Sequence, residues 1–234
     1  MSKQIGTRYA IYYTPAPDSI LWQLVSAWLG RDSHLNQAVD RPDALGLSLE
    51  DLNTATAKPA RYGFHATLVA PFELAEGLSE NDLASSMAEF CQERSAFSTR
   101  LKVDRLDDFI ALVPAAPNNK LDTMAAACVQ HFDSFRAPLS AHDLARRDSP
   151  HLNELEKSLL RRWGYPHVLE AFRFHLSLTD SAPESSLERL EPALKTLLAE
   201  SLEEPTKIDG LTLSKQPDRE SPFHTIARQA FKPT

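Results

Sequence analysis

Glycine is scarce in this chain. The seven that occur in 234 residues are Gly6, Gly30, Gly46, Gly63, Gly77, Gly164 and Gly210, and no two lie close together. A G-x-G-x-x-G dinucleotide turn and a Walker-type phosphate loop both need clustered glycines, so neither is present. Any phosphate bound here must be held by side chains and isolated backbone amides. Cysteine is scarcer still. Cys91 and Cys128 stand alone at apolar positions of helical patterns and read as buried thiols. Positive charge is in deficit, with 25 basic against 32 acidic residues and a formal charge of −7. Long nucleic acid is usually met by a basic stripe, so this balance argues against it as a partner. A small phosphorylated sugar or nucleotide, held by a few local arginines, stays compatible. No apolar run approaches the roughly 18 residues of a membrane span, and residues 1–13 carry no signal-peptide pattern. The expectation is a soluble, cytoplasmic protein without a membrane partner.

What the chain does have is one short pattern written twice. Arg61 to Phe72 reads RYGFHATLVAPF, and Phe172 to Asp180 reads FRFHLSLTD. Each runs aromatic, His, apolar or small, hydroxyl, Leu, and the two histidines lie 110 residues apart. Both runs are apolar, strand-length and bounded by turn-formers, which predicts two strands. Alternate side chains of a strand face opposite sides. His65 and Thr67 then share one face, backed by Phe64, Ala66 and Leu68. Arg173, His175, Ser177 and Thr179 share another, backed by Phe174, Leu176 and Leu178.

The rest of the sequence falls into step around these runs. Arg8 to Tyr13 predicts a strand. Leu21, Leu24, Val25, Trp28 and Leu29 predict a helix capped by Asp18 or Ser19 and stopped at Gly30. Residues 31–60 are polar, Pro-bearing and weakly periodic, and read as a long excursion with a short helix at most. Ser79 with Asp82 forms a capping box ahead of a stripe of Leu83, Met87, Phe90 and Cys91. Ser98 to Val103 and Phe109 to Val113 predict a hairpin turning at Asp107-Asp108. A core-facing helix carries Leu121, Met124, Ala125, Cys128, Val129 and Phe132. Residues 137–150 read as irregular. A helix from Pro150, capped by Asp148 or Ser149, then buries Leu152, Leu155, Leu159 and Trp163 and ends at Gly164. After the second motif, Leu187, Leu190, Leu194, Leu197 and Leu198 line another helix, and a hairpin around Pro217-Asp218 closes the chain.

Strand, helix and hairpin therefore recur after each motif. The hairpins imply antiparallel pairing. The fold class is α+β: one domain spanning residues 1–234, built as a duplicated two-lobed fold. Antiparallel sheets line its central cleft, and helices lie outside.

The chemistry follows from the doubled residues. A lone His in an apolar strand is usually a hydrogen-bonded core residue. Two H-x-[S/T] strands in equivalent places can instead face one another. Imidazole is able to take or give a proton near neutral pH. One His as base, one as acid, and two hydroxyls on non-bridging oxygens make a site for displacement at a phosphodiester, with no metal or cofactor required.

These motifs, their spacing and the doubled order resemble the two-histidine phosphoesterase superfamily. Closer in, YGFHATLVAPF, FRAPLSAHDLARR, RRWGYPHV and FRFHLSLTD resemble the branch found in bacterial phosphonate-utilisation operons. The resemblance implies catalytic roles for His65, Thr67, His175 and Ser177, and opening of a small cyclic phosphodiester such as a cyclic ribose phosphate. Ser177 stands where relatives often have Thr. Two other readings share the pattern: a non-catalytic binder of a phosphorylated ligand, and an RNA-end 2′,3′-cyclic phosphodiesterase or 2′-5′ ligase, which the acidic charge disfavours.

Other candidates have plainer readings beside them. Arg136, Arg146 and Arg147 suit a second phosphate, with Arg173 assisting, since guanidinium contacts phosphate oxygens in pairs. Their plain reading is a solvated helix end or an ion pair. Tyr62 and Tyr165 line the cleft mouth or pack in the core. His142-Asp143 resembles the metal-binding pair of HD phosphohydrolases, but those are all-helical and need further ligands not found here. His34, His131, His151, His167 and His224 read as surface or structural.

Overall fold

A computed structural model describes residues 6–42 and 46–232. The first strand, β1 (Arg8–Tyr13), has the predicted bounds and is buried throughout. Helix α1 (Ile20–Leu29) follows, with the Ser19 side chain accepting from Trp22 N at 3.2 Å and Gly30 closing it at φ 72°. The predicted excursion is the first difference. It holds a small hairpin, β2 (Arg31–Asp32) with β3 (Gln37–Ala38), and then a full helix, α2 (Leu49–Tyr62), started by a Ser48–Asp51 capping box. The helix is hard to read from sequence because its buried face is Leu52, Ala55, Thr56 and Pro59, small or polar apart from one leucine.

Pro59 has a use inside that helix. It carries no N–H to donate to the Ala55 carbonyl one turn earlier. That carbonyl accepts instead from Asp180 N at 2.6 Å, at the end of the second motif. Asp180 also accepts from Lys58 N at 2.9 Å and pairs with Lys58 Nζ at 3.1 Å. The helix leading into the first motif is thereby bound to the second.

Strand β4 (Ala66–Phe72) carries the first motif, and α3 (Glu80–Gln92) starts from the predicted Ser79–Asp82 box. The run predicted as one strand over residues 98–103 is divided at Arg100. Strand β5 (Phe97–Thr99) belongs to one sheet and β6 (Leu101–Leu106) to another, where it turns through Asp107 (φ 53°) into β7 (Phe109–Pro114). Helix α4 (Asn119–Phe132) buries all six residues of its predicted stripe.

Two corrections follow. Residues 137–150 are not wholly irregular: α5 (Ala141–Arg147) forms there, capped by Ser140. The next helix, α6 (Glu154–Trp163), begins later than predicted, because Asn153 and Glu156 form a reciprocal capping box. Leu155 consequently points outward, and Leu159 and Leu160 are the residues buried.

Strand β8 (Leu176–Ser177) carries the second motif, and α7 (Glu184–Leu198) buries most of its leucine stripe. Strand β9 (Thr206–Ile208) pairs β5. Strands β10 (Gly210–Gln216) and β11 (His224–Ala230) make the closing hairpin.

The larger sheet runs β11-β10-β1-β4 and the smaller β6-β7-β8, so each motif strand is an edge strand. Both sheets are antiparallel, and the two edges come into contact with each other. One hydrophobic core runs beneath both, holding Phe64 and Leu68 from the first motif and Phe174, Leu176 and Leu178 from the second. A buried hydrogen bond crosses it, from Trp28 Nε1 to Leu178 O at 2.8 Å. The expected α+β architecture, two sheets lining a cleft with helices outside, is the one observed. No described helix is long and apolar enough to cross a membrane.

Candidate active site

The motif histidines sit one step before their strands, not inside them. β4 begins at Ala66 and β8 at Leu176, which leaves the backbone of both histidines outside the ladders. Each ring is oriented in the same way. His65 Nδ1 lies 2.8 Å from Gly63 O, and His175 Nδ1 lies 2.8 Å from Arg173 O. A carbonyl only accepts, so both Nδ1 atoms carry hydrogen and both Nε2 atoms keep a lone pair. Using the carbonyl two residues earlier is common to both motifs, and it gives the internal duplication its clearest structural expression.

Alternation of buried and cleft-facing side chains runs through both motifs. Phe64, Ala66 and Leu68 are buried while His65 and Thr67 reach the cleft, and Phe174, Leu176 and Leu178 are buried while His175 and Ser177 reach it. Arg173 does not follow them: its side chain is exposed beside a different hollow, with Lys102 and Phe174, while its carbonyl orients His175 and its charge helps lower that ring.

His65, Thr67, His175 and Ser177 all line one cleft of about 390 Å³. His65 Nε2 lies 3.1 Å from Thr67 Oγ1, and with Nδ1 protonated the hydroxyl donates. The Tyr12 ring lies against His65 at 3.8 Å between centroids. Phe109 meets His175 edge-on at 5.7 Å. Burial pushes the His65 pKa down to about 4, opposed by the Gly63 hydrogen bond and assisted by the charge of His175. Burial lowers His175 as well, against its bond to Arg173 O. Both rings are therefore neutral bases at pH 7 before any ligand arrives.

The predicted arginines part company. Arg146 and Arg147 line the cleft, as do Tyr62 and Tyr165. Arg136 does not. Its guanidinium bonds Asp133 Oδ1 at 2.8 Å and the Arg162 carbonyl at 3.3 Å, behind Gly164, which is the plain ion-pair reading. Asp143 accepts from Ser140 and Arg219 at 3.0 and 2.9 Å, and among the described residues no group of three or more His, Cys, Asp or Glu is placed to hold a metal ion. None of His34, His131, His151, His167 and His224 lines the cleft.

Arg8 and Tyr12 are among the cleft residues that escape the sequence reading. Both lie on β1, whose alternation turns Tyr9, Ile11 and Tyr13 to the main core and leaves Arg8, Ala10 and Tyr12 on the cleft side. Tyr12 pairs directly with Thr67, so the two share a face. The signal was present in RYAIYY. The same period of two applied to that strand places Arg8 beside the site.

Residues 67–224 match the family described as "Protein of unknown function (DUF1045)". A protein named ribose 1,5-bisphosphate phosphokinase PhnN, from Janthinobacterium sp. (strain Marseille), is 37% identical over 236 residues, covering 99% of this chain and 52% of that one. One of the same name from Laribacter hongkongensis (strain HLHK9) is 36% identical over 216 residues, covering 92% and 50%. The chain thus spans about half the length of the curated relatives it matches. The E. coli LigT structure complexed with 3′-AMP aligns over 98% of this chain and 99% of that one, at 12% identity and TM-score 0.44. With the match running from Thr67 of the first motif through the whole of the second, the chain belongs to the DUF1045 family.

Proposed function

We propose that the cleft opens a small cyclic phosphodiester by hydrolysis, without routing any step through a metal. The observation that carries this is the matched pair of imidazoles, each anchored through Nδ1 and each keeping a lone pair on Nε2, with a hydroxyl two residues on. Water attacks phosphorus, the bond from phosphorus to one ring oxygen breaks, and a phosphomonoester with a free hydroxyl results. One imidazole takes the proton of the attacking water. The other, protonated, gives its proton to the departing oxygen. Thr67 and Ser177 donate to the non-bridging oxygens as charge builds there.

The roles divide by environment. His65 is the more strongly depressed ring and holds its lone pair, which suits the base. His175 is depressed too, but the negative charge of a bound phosphodiester raises a neighbouring imidazole, and this ring is the one to carry the proton. Thr67 releases its bond to Nε2 when the ester enters, and its hydroxyl turns to phosphate.

The substrate class is a cyclic ribose phosphate. The name of the two relatives, ribose 1,5-bisphosphate phosphokinase, supports a ribose phosphate as the kind of molecule met here. The phosphokinase part of the name has no counterpart in a glycine-rich phosphate loop of this chain. A cleft of about 390 Å³ is at the small end of ligand sites, in keeping with a sugar phosphate. The test is turnover of ribose and nucleoside cyclic phosphates by purified protein in EDTA, with products followed by phosphorus NMR. Release of a phosphomonoester is expected. No turnover of any cyclic ester, or turnover lost to the chelator, overturns the reading.

A further inference from the structure

One end of the cleft gathers positive charge in a protein whose formal charge is −7. Arg8, Arg146 and Arg147 line it, and Arg219 stands close by. The carboxylates nearby are already engaged. Asp143 faces Arg219 at 2.9 Å and Arg146 at 3.6 Å, and Glu73 faces Arg219 at 3.5 Å.

Arg8 and Arg147 are bonded only to neutral groups among the described residues. Arg8 is 4% exposed, and its Nε and Nη2 both donate to the amide oxygen of Gln216. Arg147 donates to the carbonyls of Pro71, at 2.7 Å, and Gly164. Burying a guanidinium without a counter-charge is costly. Burial, and then repulsion from Arg219 and Arg146, holds Arg8 below its ordinary pKa, and burial with Arg146 does the same to Arg147.

The same cleft holds an unmatched donor. Tyr12 is 1% exposed, lines the cleft, and its hydroxyl has no hydrogen-bond partner. Buried hydroxyls almost always have one. Burial raises this hydroxyl well above the usual phenol range, while Arg8 and Arg147 are the two cations that act on it in the other direction. It therefore remains protonated and able to donate.

We propose that Arg8, Arg147 and the Tyr12 hydroxyl form a second anion subsite that takes a terminal phosphate of the same substrate. Two guanidiniums and one hydroxyl, Arg8 and Tyr12 from β1 and Arg147 from α5, line one cleft and suit a tetrahedral dianion. The Tyr12 ring lies tilted against His65, so the subsite stands one aromatic ring from the reacting centre. The substrate class narrows to a sugar phosphate with a cyclic ester at one end and a phosphomonoester at the other. This rests on the hydrolytic reading for the cyclic ester alone.

Two measurements separate the claims. The first uses protein inactivated by His65→Ala and follows binding of ribose 5-phosphate and of ribose by calorimetry. Ribose 5-phosphate is expected to bind and ribose not to. Adding Tyr12→Phe, which keeps the ring, or Arg8→Gln should weaken that binding by about 10- to 100-fold. The second compares KM for a ribose cyclic phosphate with and without a phosphate at C5. Tyr12→Phe should raise KM for the doubly phosphorylated ester at least about tenfold more than for the other. Unchanged ribose 5-phosphate binding in folded Tyr12→Phe and Arg8→Gln proteins, or equal effects on both esters, overturns the subsite. Binding through Arg8 without turnover of either ester leaves the subsite standing and removes the hydrolytic reading.

Discussion

The carbonyl of Gly63 accepts the Nδ1 hydrogen of His65 at 2.8 Å, and it does so from a backbone only glycine holds easily. Gly63 ends α2 at φ 81°, and a Cβ there would collide with the side chain of Ser33. The imidazole is thus aimed by a residue with no side chain. Gly63→Ala should cost about 1–3 kcal/mol in stability and lower kcat more than it raises KM, as the ring loses its anchor. Urea unfolding with steady-state kinetics checks both. A fully active, equally stable alanine variant would show that the carbonyl does not set the ring.

The paired histidines make a second prediction. His65→Ala and His175→Ala should each reduce turnover by roughly 10²–10⁴-fold with the circular dichroism unchanged. Thr67→Val keeps the branched shape and removes one donor, so its loss should not exceed about 2.7–4 kcal/mol of transition-state stabilisation. Full activity in either histidine variant sinks the acid–base pairing.

Much of this site was legible because its signal is local. H-x-T and H-x-S need only a period of two to put imidazole and hydroxyl on one face, and the buried alternation around them is as the sequence implies. The reading failed where the third dimension intervenes. Arg173 seemed to belong to the motif face, but its side chain stands beside a different hollow, with Lys102 and Phe174. Helix α2 was hidden by a buried side made of Ala55, Thr56 and Pro59, which carries little hydrophobic contrast. Arg136 and Arg147 look alike in sequence. Only packing assigns the first to Asp133 and the second to the cleft wall.

Acid should destabilise the fold through His65. Its folded pKa, about 4, lies below the ordinary value of 6.5, so between those values the unfolded chain binds more protons. Stability is then fully present above pH 6.5 and is lost as pH falls toward 4. From pH 7 to pH 5 the loss from this residue is on the order of 2 kcal/mol at most, trimmed because the ring edge reaches the cleft. Urea midpoints at the two pH values should converge in His65→Asn. An identical pH slope in the variant would place the acid sensitivity elsewhere.

Depressed values in both rings also set the pH range expected for the proposed reaction. With His65 as base and His175 as acid, kcat/KM for a singly phosphorylated cyclic ester should rise through about pH 4 and fall again below pH 6.5. A plateau extending past pH 8 is incompatible with an imidazolium acid.

The last prediction separates the arginines by what they touch. Arg136 is tied to Asp133, which Arg162 also contacts at 2.9 Å, and this cluster braces the end of α4 against the end of α6. Removing the guanidinium leaves a half-buried carboxylate with one of its two partners, so Arg136→Gln should cost about 1–2 kcal/mol in stability. It lies behind Gly164, away from the cleft, and KM should stay within about twofold of the parent protein. Arg173→Gln alters an exposed side chain while keeping the carbonyl that orients His175, so stability should move by less than about 0.5 kcal/mol. Its turnover should stay near that of the parent, since the anchor is backbone, with the falling limb of the pH profile moved upward as His175 loses a neighbouring cation. A large rise in KM on either substitution would bring that side chain to the ligand after all, and would mean that the cleft closes around its substrate from further out than its walls now reach.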